Sequence, residues 1–460
     1  MFDLRFRKIY LFFYFGIFLQ YNSHAQTIAK LRFDDDFSYL KADSLKTTWK
    51  EKIKNVSLGT NFQLSLGGES REQYQSYEHV NFGEVPSDFV TDSPHQLMHR
   101  IMFHANLAYK NTFRLFAQLN NTARFLNPNP INSQIDENLL STHQLFLDYK
   151  FNNHWIFRLG QQELAYGSER FVASREGPNT RLTFQAATLK YISPRNKLDF
   201  FTSKPMKMNT GVFDDVPASE SLYGFYYMHS SSKSRFNLDL FYFNSESNLR
   251  QYMFKKGNEN RHTFGMRLYS SLGPWNYDVE LAKQVGAFDE LSISSYMAVW
   301  DFNVSPVQYF YLGFSGNYVP GDKSNSDSQL NTFNTLYAKP PFGQTVALNI
   351  TNTINLSPYV RYQHTNKWLA TLRSSFVTRE SLADGIFTPN MMPLRPILGK
   401  NRDSNAQRVG NIFALDVNYF PTKNVSLQFE LGYCEAGDYM SDTGNGRDVM
   451  YFALKNAFKF

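Results

Sequence analysis

The feature that most narrows what this chain can fold into is an alternation of apolar and polar side chains with a period of two, sustained from residue 60 to the C-terminus. Ile101, Phe103, Ala105 and Leu107 share one parity, while Arg100, His104 and Asn106 share the other. Leu145, Leu147 and Tyr149 oppose Gln144, Asp148 and Lys150, and Val425, Leu427, Phe429 and Leu431 oppose Ser426, Gln428 and Glu430. Successive side chains of a strand point to opposite faces, so each segment reads as a strand with one greasy and one wet side. Roughly 18 such segments of about 9–13 residues can be counted, the length a tilted strand needs to cross a bilayer. Beyond the N-terminus, no run of about 18 apolar residues offers a membrane-spanning helix. Aromatic residues make up 17% of the chain, with 43 Phe and 28 Tyr, yet the mean hydropathy is negative. A water-soluble core would need longer apolar blocks, whereas a barrel in lipid needs apolar side chains on only one side of each strand. The expected fold class is therefore all-β, a transmembrane antiparallel up-and-down β-barrel of about 18 strands.

The ends and connections fit that expectation. Arg5, Arg7 and Lys8 precede an apolar run over residues 9–19, and Ser23-His24-Ala25 follows, so residues 1–25 read as a secretory signal peptide. Residues 26–59 are polar, with Asp34-Asp35-Asp36 and Lys50-Glu51-Lys52. They read as a periplasmic N-terminal extension, either a short plug or strap or a disordered leader. Residues 60–460 supply the barrel. Turn formers at Lys110-Asn111, Asn152-Asn153, Ser231-Ser232-Lys233, Gly273-Pro274 and Asn366-Lys367 alternate with long polar loops, among them 77–96, 165–180, 245–260, 320–344 and 380–406. Short periplasmic turns and long extracellular loops place the chain as an integral protein of the Gram-negative outer membrane, with lipid as its first partner. The chain closes on Phe452, Leu454, Phe458 and Phe460 with one parity, which resembles the signal read by the barrel-assembly machinery. The single Cys434 forbids an intramolecular disulfide. A net charge of +6 gives no argument for nucleic acid.

The stretch 155–191 reads as strand, long polar loop, strand. Trp155, Phe157 and Leu159 alternate with Ile156, Arg158 and Gly160; after the loop and Arg181, Leu182, Phe184 and Ala186 alternate with Thr183 and Gln185. Between the strands sit Glu169, Arg170, Arg175, Glu176 and Arg181, a density of charge that a closed apolar core would not tolerate unpaired. This stretch resembles the signature of the alginate-export family of outer-membrane β-barrels. The likeness lies in Gly160-Gln161-Gln162-Glu163-Leu164, Tyr166-Gly167-Ser168-Glu169-Arg170 and Arg175-Glu176-Gly177-Pro178-Asn179. Where the family has Arg after the first glycine, this chain has Gln161. Weaker fragments are His99-Arg100, Gln284-Val285-Gly286, Gly321-Asp322 and Phe333-Asn334-Thr335-Leu336-Tyr337, so the likeness covers most of residues 95–460. The resemblance implies export of an acidic polysaccharide such as alginate, with periplasmic export partners, and places Arg170, Arg175 and Arg181 around a constriction.

The inward parity collects Arg100, Arg114, Arg158, Arg181, Arg267 and Arg373, and the loops add Arg170, Arg175, Arg379 and Arg395. A guanidinium is a planar fork that grips carboxylates in a bidentate way and stays charged at any working pH. A ring of them between low-dielectric walls would concentrate anions. The expected pore-lining, anion-contacting set is Arg100, Arg114, Arg158, Glu163, Arg170, Arg175, Arg181, Arg267 and Arg373. The same parity holds Glu69, Asp148, Asp239, Asp278, Glu280 and Glu430, so salt bridges that merely fix the wall are the competing reading for each arginine. Inward Phe116, Phe146 and Tyr311 either stack on sugar rings or pack.

Enzymatic signatures are missing. Tyr166-Gly167-Ser168-Glu169-Arg170 lacks the second glycine of a nucleophile elbow, and no phosphate-cradling glycine loop stands between a strand and a helix. The ten His show no metal-binding spacing, and the acidic loops 322–327 and 438–448 read as solvated rather than as Ca²⁺ sites. No catalytic residue, metal or cofactor is expected. The expected function is passage of an anionic polysaccharide or sugar-like solute by diffusion. A general or substrate-specific uptake porin for small organic solutes, a barrel-embedded hydrolase using Ser168 or Asp278, and a plugged structural or adhesin barrel are the alternatives.

Overall fold

The computed structural model describes residues 29–40, 43–85, 91–126, 133–231, 236–253, 255–324, 326–395 and 404–460. The expected signal peptide and part of the expected Ser232-Lys233 turn lie outside them. Eighteen strands form one antiparallel barrel. They are β1 (Phe62–Glu78), β2 (His95–Tyr109), β3 (Phe113–Phe125), β4 (Asn138–Lys150), β5 (Trp155–Gln162), β6 (Phe184–Ile192), β7 (Asn196–Lys207), β8 (Ser221–Ser230) and β9 (Asn237–Tyr252). The second half comprises β10 (Lys255–Leu272), β11 (Trp275–Phe288), β12 (Leu291–Val307), β13 (Phe310–Val319), β14 (Thr353–His364), β15 (Trp368–Arg379), β16 (Arg408–Thr422), β17 (Val425–Ala436) and β18 (Val449–Lys459). Each strand pairs with the next, and β18 closes on β1 with Lys459 opposite Glu69. Closure satisfies every edge within the protein, as a backbone in hydrocarbon requires.

The two faces sort as the alternation dictates. Phe103, Leu115, Leu147, Leu372 and Leu427 point out and are exposed, while Arg100, Gln118, Asp148 and Glu430 point in and are buried. Toward the short-turn end, outward aromatics pair across strands: Phe62 with Tyr109 at 4.9 Å, Phe113 with Tyr149 at 5.0 Å and Trp368 with Tyr419 at 4.2 Å. Toward the long-loop end, Tyr296 pairs with Tyr318 at 5.7 Å and Phe413 with Tyr433 at 6.4 Å. Two aromatic belts bounding an apolar band mark the headgroup levels of a bilayer.

Several expectations fail where chain from elsewhere sets the environment. Leu182, Phe184 and Ala186 point into the barrel and are buried, because loop 163–183 folds inside and gives them an apolar partner that lipid would otherwise provide. Arg181 accordingly stands on that loop rather than on the inward face of a strand. Residues 245–252 and 255–260, expected as a loop, form the upper parts of β9 and β10. Beyond the lipid the outer face needs no greasy side chains, so the alternation fades while the strand pairing continues. Conversely, the sequence over 345–363 reads as one strand, but residues 345–352 precede β14 as buried interior chain, with Leu348 and Ile350 packed inside. The sequence over 308–319 likewise reads as one strand, but residues 308–309 form a turn, Tyr309 adopting φ +73°. Arg379 proves to be the last residue of β15 rather than a loop residue.

The N-terminal segment folds against the short-turn end. A helical turn, Trp49–Lys52, is capped reciprocally by Thr48 and Glu51, and the short strand Val56–Leu58 pairs with β1. Arg32 donates to the carbonyls of Gly68 and Phe460 at 2.9 Å each, tying this segment to both ends of the barrel seam.

Candidate functional site

Loop 163–183 leaves β5 and crosses the barrel interior instead of standing up into solvent. One end of it docks on β7 to β12. Leu164, Phe171, Val172 and Leu182 bury themselves against inward Phe201, Tyr226, Phe241, Phe243, Ala282 and Met297. The turn at Tyr166-Gly167-Ser168-Glu169 is closed by a hydrogen bond from Glu169 N to Tyr166 O of 2.9 Å, and the Tyr166 ring stacks on Tyr226 at 5.2 Å and 11°. Gly167 has φ +53°, and a Cβ there would lie 1.9 Å from the Tyr226 hydroxyl, so only glycine fits. Next to this turn Ser168 Oγ donates to Glu280 at 2.5 Å and Arg170 Nη1 to Glu280 at 2.7 Å. Asp278 lies 3.5 Å from Arg170 and accepts from Arg267 Nη2 at 2.6 Å. Arg267 reaches Asp239 at 3.4 Å, and Tyr226 donates to Asp239 at 2.8 Å.

The other end of the loop docks on β1, β2 and β3. Arg71 and Arg100 face each other across the β1–β2 ladder, a repulsive pairing unless an anion comes between them. Loop residue Glu176 does so: it pairs with Arg100 and lies 3.6 Å from Arg71 and 3.2 Å from Arg181. Arg71 also donates to the carbonyls of Glu176 at 2.8 Å and Pro178 at 3.0 Å, gripping the Gly177-Pro178 bend. Asn179 donates to His99 O, Ala123 O and Asp136 O at 2.9–3.3 Å. Glu69 accepts from Arg100 Nε at 3.0 Å, and Glu163 accepts from Arg181 at 3.0 Å and contacts His143 at 2.9 Å. Burial opposes ionisation of Glu176, but Arg100, Arg181 and Arg71 outweigh it and hold the carboxyl well below the usual range. Its side chain is 44% exposed although protein surrounds it, so it faces open space inside the barrel.

The expected arginines thus divide into groups. Arg100, Arg181 and Glu163 come together in the clasp just described. Arg114 and Arg158 share Asp148, with Nε distances of 2.9 and 2.7 Å, and Arg158 lies over the Phe146 ring at 4.0 Å. Arg170 and Arg267 share Asp278. Two stand apart: Arg175 donates to Ala338 O and Asn390, and Arg373 lies 5.5 Å from the Tyr359 ring. Arg379 and Arg395 are spent on loop carbonyls, those of Ser404 and Ala406 for the first and Asn81 and Met440 for the second. Phe116 and Phe146 are buried and stack on each other at 5.2 Å, which is packing. The sequence reading passed over Arg71 and the anchoring role of Asn179. Arg71 was legible by parity, since it shares the inward face with Glu69 and Gln73.

Loop 163–183 is itself supported by a second inward loop. Tyr337 N donates to Phe171 O at 2.8 Å, Ala173 N to Tyr337 O at 3.2 Å and Lys339 N to Glu169 O at 3.1 Å. Phe333-Asn334-Thr335-Leu336-Tyr337 therefore sits against Tyr166-Gly167-Ser168-Glu169-Arg170 and the residues after it. The family model for alginate export matches residues 62–451. The chain belongs to the alginate-export family.

Solved structures of similar fold are outer-membrane porins. OpdO of Pseudomonas aeruginosa matches with a TM-score of 0.55 at 12% identity, covering 86% of this chain and 97% of that one. OccK2 (OpdF) of Pseudomonas aeruginosa, in complex with glucuronate, gives 0.56 at 10% identity, over 86% and 98%. A BenF-like porin from Pseudomonas fluorescens Pf-5 gives 0.59 at 9% identity, over 86% and 98%. Identities this low speak to the fold alone. No curated protein matches the sequence. As an alginate-export family barrel the chain is an integral outer-membrane channel protein, and its crossing elements are strands. In this member Gln161, standing where the family has Arg, donates to the carbonyls of Thr142 and His143 at 2.7 and 3.2 Å and to Thr183 Oγ1 at 3.2 Å. It pins the loop's return to the β4–β5 hairpin. Among the described residues no group of three His, Cys, Asp or Glu could hold a metal ion.

Proposed function

We propose that this alginate-export family member passes an acidic polysaccharide of the alginate type, with loop 163–183 as its selecting constriction. One observation carries the reading: a charged loop is clasped across the interior at both ends, yet keeps side chains open to the lumen. The half-buried groups, Arg114, Arg170 and Arg267 at 25%, 21% and 14% side-chain exposure, are the ones placed to touch a passing carboxylate. Arg100, Arg158 and Arg181, at 0–3%, hold the wall and the loop. Each carboxylate partner of a half-buried arginine lowers its field but leaves donors for a transient anion, which suits conduction better than tight binding. In this reading the short turns and residues 26–59 lie on the periplasmic side. There export partners would meet the chain, and the strand ending at Phe460 addresses the assembly machinery.

Uptake of a small acidic sugar is the second reading, favoured by the glucuronate complex of the similar porin. Planar-bilayer recording separates the two. A polyuronate should block the current at low concentration, and Arg170→Gln should raise the half-blocking concentration by about 3- to 10-fold. A current indifferent to polyuronate but blocked by monomeric glucuronate would favour uptake. Indifference to both, with a cation-selective reversal potential, would remove the anion pathway altogether.

A further inference from the structure

Between the short-turn mouth and loop 163–183 lies a vestibule of about 880 Å³. Its barrel wall carries six cations: Lys110, Arg114, Lys150, Arg158, Lys190 and Lys197. Against them the barrel sets only Asp148, Asp199 and the loop's Glu163, leaving an excess of three positive charges (six minus three). The N-terminal segment makes up the difference, since Asp34, Asp35 and Asp36 all line the same space. Three carboxylates in succession, set into this cationic chamber, have the form of a short polyanion.

The way the segment is held supports this. The two residues before the acidic turn are anchors: Arg32 ties to Gly68 O and Phe460 O, and Phe33 packs edge-on to Phe146 at 5.4 Å with the Arg158 guanidinium 4.2 Å from its ring. Arg114 donates to Phe33 O at 2.7 Å. Asp35 serves the anchor, accepting from Arg32 Nε at 2.8 Å. Asp34 and Asp36 are exposed within the vestibule. The enclosing vestibule walls hold the Asp34 carboxyl above its ordinary value even though water reaches it, and Arg158, Lys190, Arg114 and Lys197 offset only part of that rise, so four cations surround it. At its upstream end the segment touches the constriction: Lys30 pairs with Glu169, and Lys30 O accepts from Arg181 at 3.4 Å.

We propose that the vestibule is a subsite for the carboxylates of an acidic polysaccharide, and that the acidic turn at Asp34–Asp36 occupies it at rest as a built-in competitor. The inference rests on the channel being an anion pathway and adds where the polymer first binds and what it displaces. A single uronate would leave most of the turn in place, while a chain of them can trade carboxylate for carboxylate along the whole row of cations.

The test uses the full mature chain in planar bilayers with an oligogalacturonate added to each side in turn. Asp34→Asn with Asp36→Asn removes the competitor's charge and leaves the Asp35 anchor. It should lower the half-blocking concentration from the short-turn side by about 3- to 10-fold at low salt. Lys190→Gln with Lys197→Gln should raise it by a similar factor. If the lysine pair weakens block but the aspartate pair leaves it unchanged, the channel reading stands and the competitor is overturned. Chloride selectivity judges the vestibule without any sugar: the aspartate pair should shift the reversal potential in a KCl gradient toward anions. No shift overturns the inference even in a channel that polyuronate blocks, whereas a shift in a channel that no oligouronate blocks overturns the polysaccharide assignment.

Discussion

The lipid-facing wall and the loop inside it are built on opposite principles. On the wall, Phe103, Leu115, Leu147 and Leu427 do the same thing at many equivalent positions, each meeting lipid at 42–47% exposure. In loop 163–183 each contact is of its own kind: Arg71 grips the bend, Arg100 bridges Glu69 and Glu176 with Arg181 beside it, and Gly167 fits under Tyr226. Redundant information survives single changes, and unrepeated information does not. The sharpest way to break this contrast is Arg100→Met beside Leu119→Ala, where Leu119 is a 42% exposed residue on the lipid side of the neighbouring strand. Removing the guanidinium leaves buried Glu69 with only Lys459 at 3.7 Å and takes one of three cations from Glu176, and should cost about 3–5 kcal/mol. Losing three outward carbon atoms should cost about 1–2 kcal/mol. Equilibrium unfolding in lipid vesicles, followed by tryptophan fluorescence, measures both. Equal costs would mean that the clasp is no more specific than the wall.

The same contrast explains what could be read from the sequence. Strand number, the lipid parity of Phe103 and Leu427, and the buried inward Arg100 follow from a pattern in which each residue is judged against its neighbour two positions away. The reading failed where a residue's environment comes from distant chain. Phe184 is turned inward by Tyr337, whose ring it meets at 5.4 Å across 153 positions of sequence (337 minus 184). Arg71 and Glu176 meet across 105 positions. The hairpin of β9 and β10 looked like a loop because its own side chains are mostly polar, and the apolar partners of Tyr252 and Met253, Phe387 and Met391 among them, come from distant chain. Which arginines would come together was therefore not legible, although the charged inner parity was.

A second test concerns pH, acting on inward chain. Asp384, on the loop after β15, is buried and its carboxyl is pushed up to about 6. Burial is the main cause, and the Asp322 carboxylate adds to it. Hydrogen bonds from Thr332 Oγ1 at 2.6 Å and Asp322 N at 2.8 Å work the other way. Because the folded value exceeds that of a free aspartate, the native loop holds the proton more tightly. That contribution to docking is complete below about pH 4 and is lost as the pH rises through about 6. Two pKa units correspond to at most about 3 kcal/mol. The stability difference between wild type and Asp384→Asn should therefore change by up to that amount between pH 4 and pH 7.5, with the wild type losing ground as the pH rises. A difference that stays flat across this range would show that Asp384 is solvated in the folded barrel.

The smallest effect sharpens the comparison most, because it changes a single methyl group. Gly167→Ala places a Cβ where the Tyr226 hydroxyl now lies, on a residue whose φ of +53° already disfavours any side chain. The left-handed backbone costs an alanine about 1 kcal/mol, and the clash adds a similar amount if Tyr226 must yield. Tyr226 cannot yield freely, since its ring lies between Tyr166 at 5.2 Å and Phe241 at 5.5 Å and its hydroxyl serves Asp239. The loop tip is the cheaper part to move, so the expected cost is about 1–3 kcal/mol, taken by the tip alone. Moving the tip separates Arg170 from Glu280 while the clasp at Arg71 and Arg100 stays shut. Single-channel conductance should then rise and polyuronate block should weaken, with the unfolding midpoint of the barrel nearly unchanged. A variant that instead unfolds as readily as Arg100→Met would show that the two ends of the loop are one cooperative unit, and the division between a redundant wall and separately anchored inner contacts would have to be redrawn.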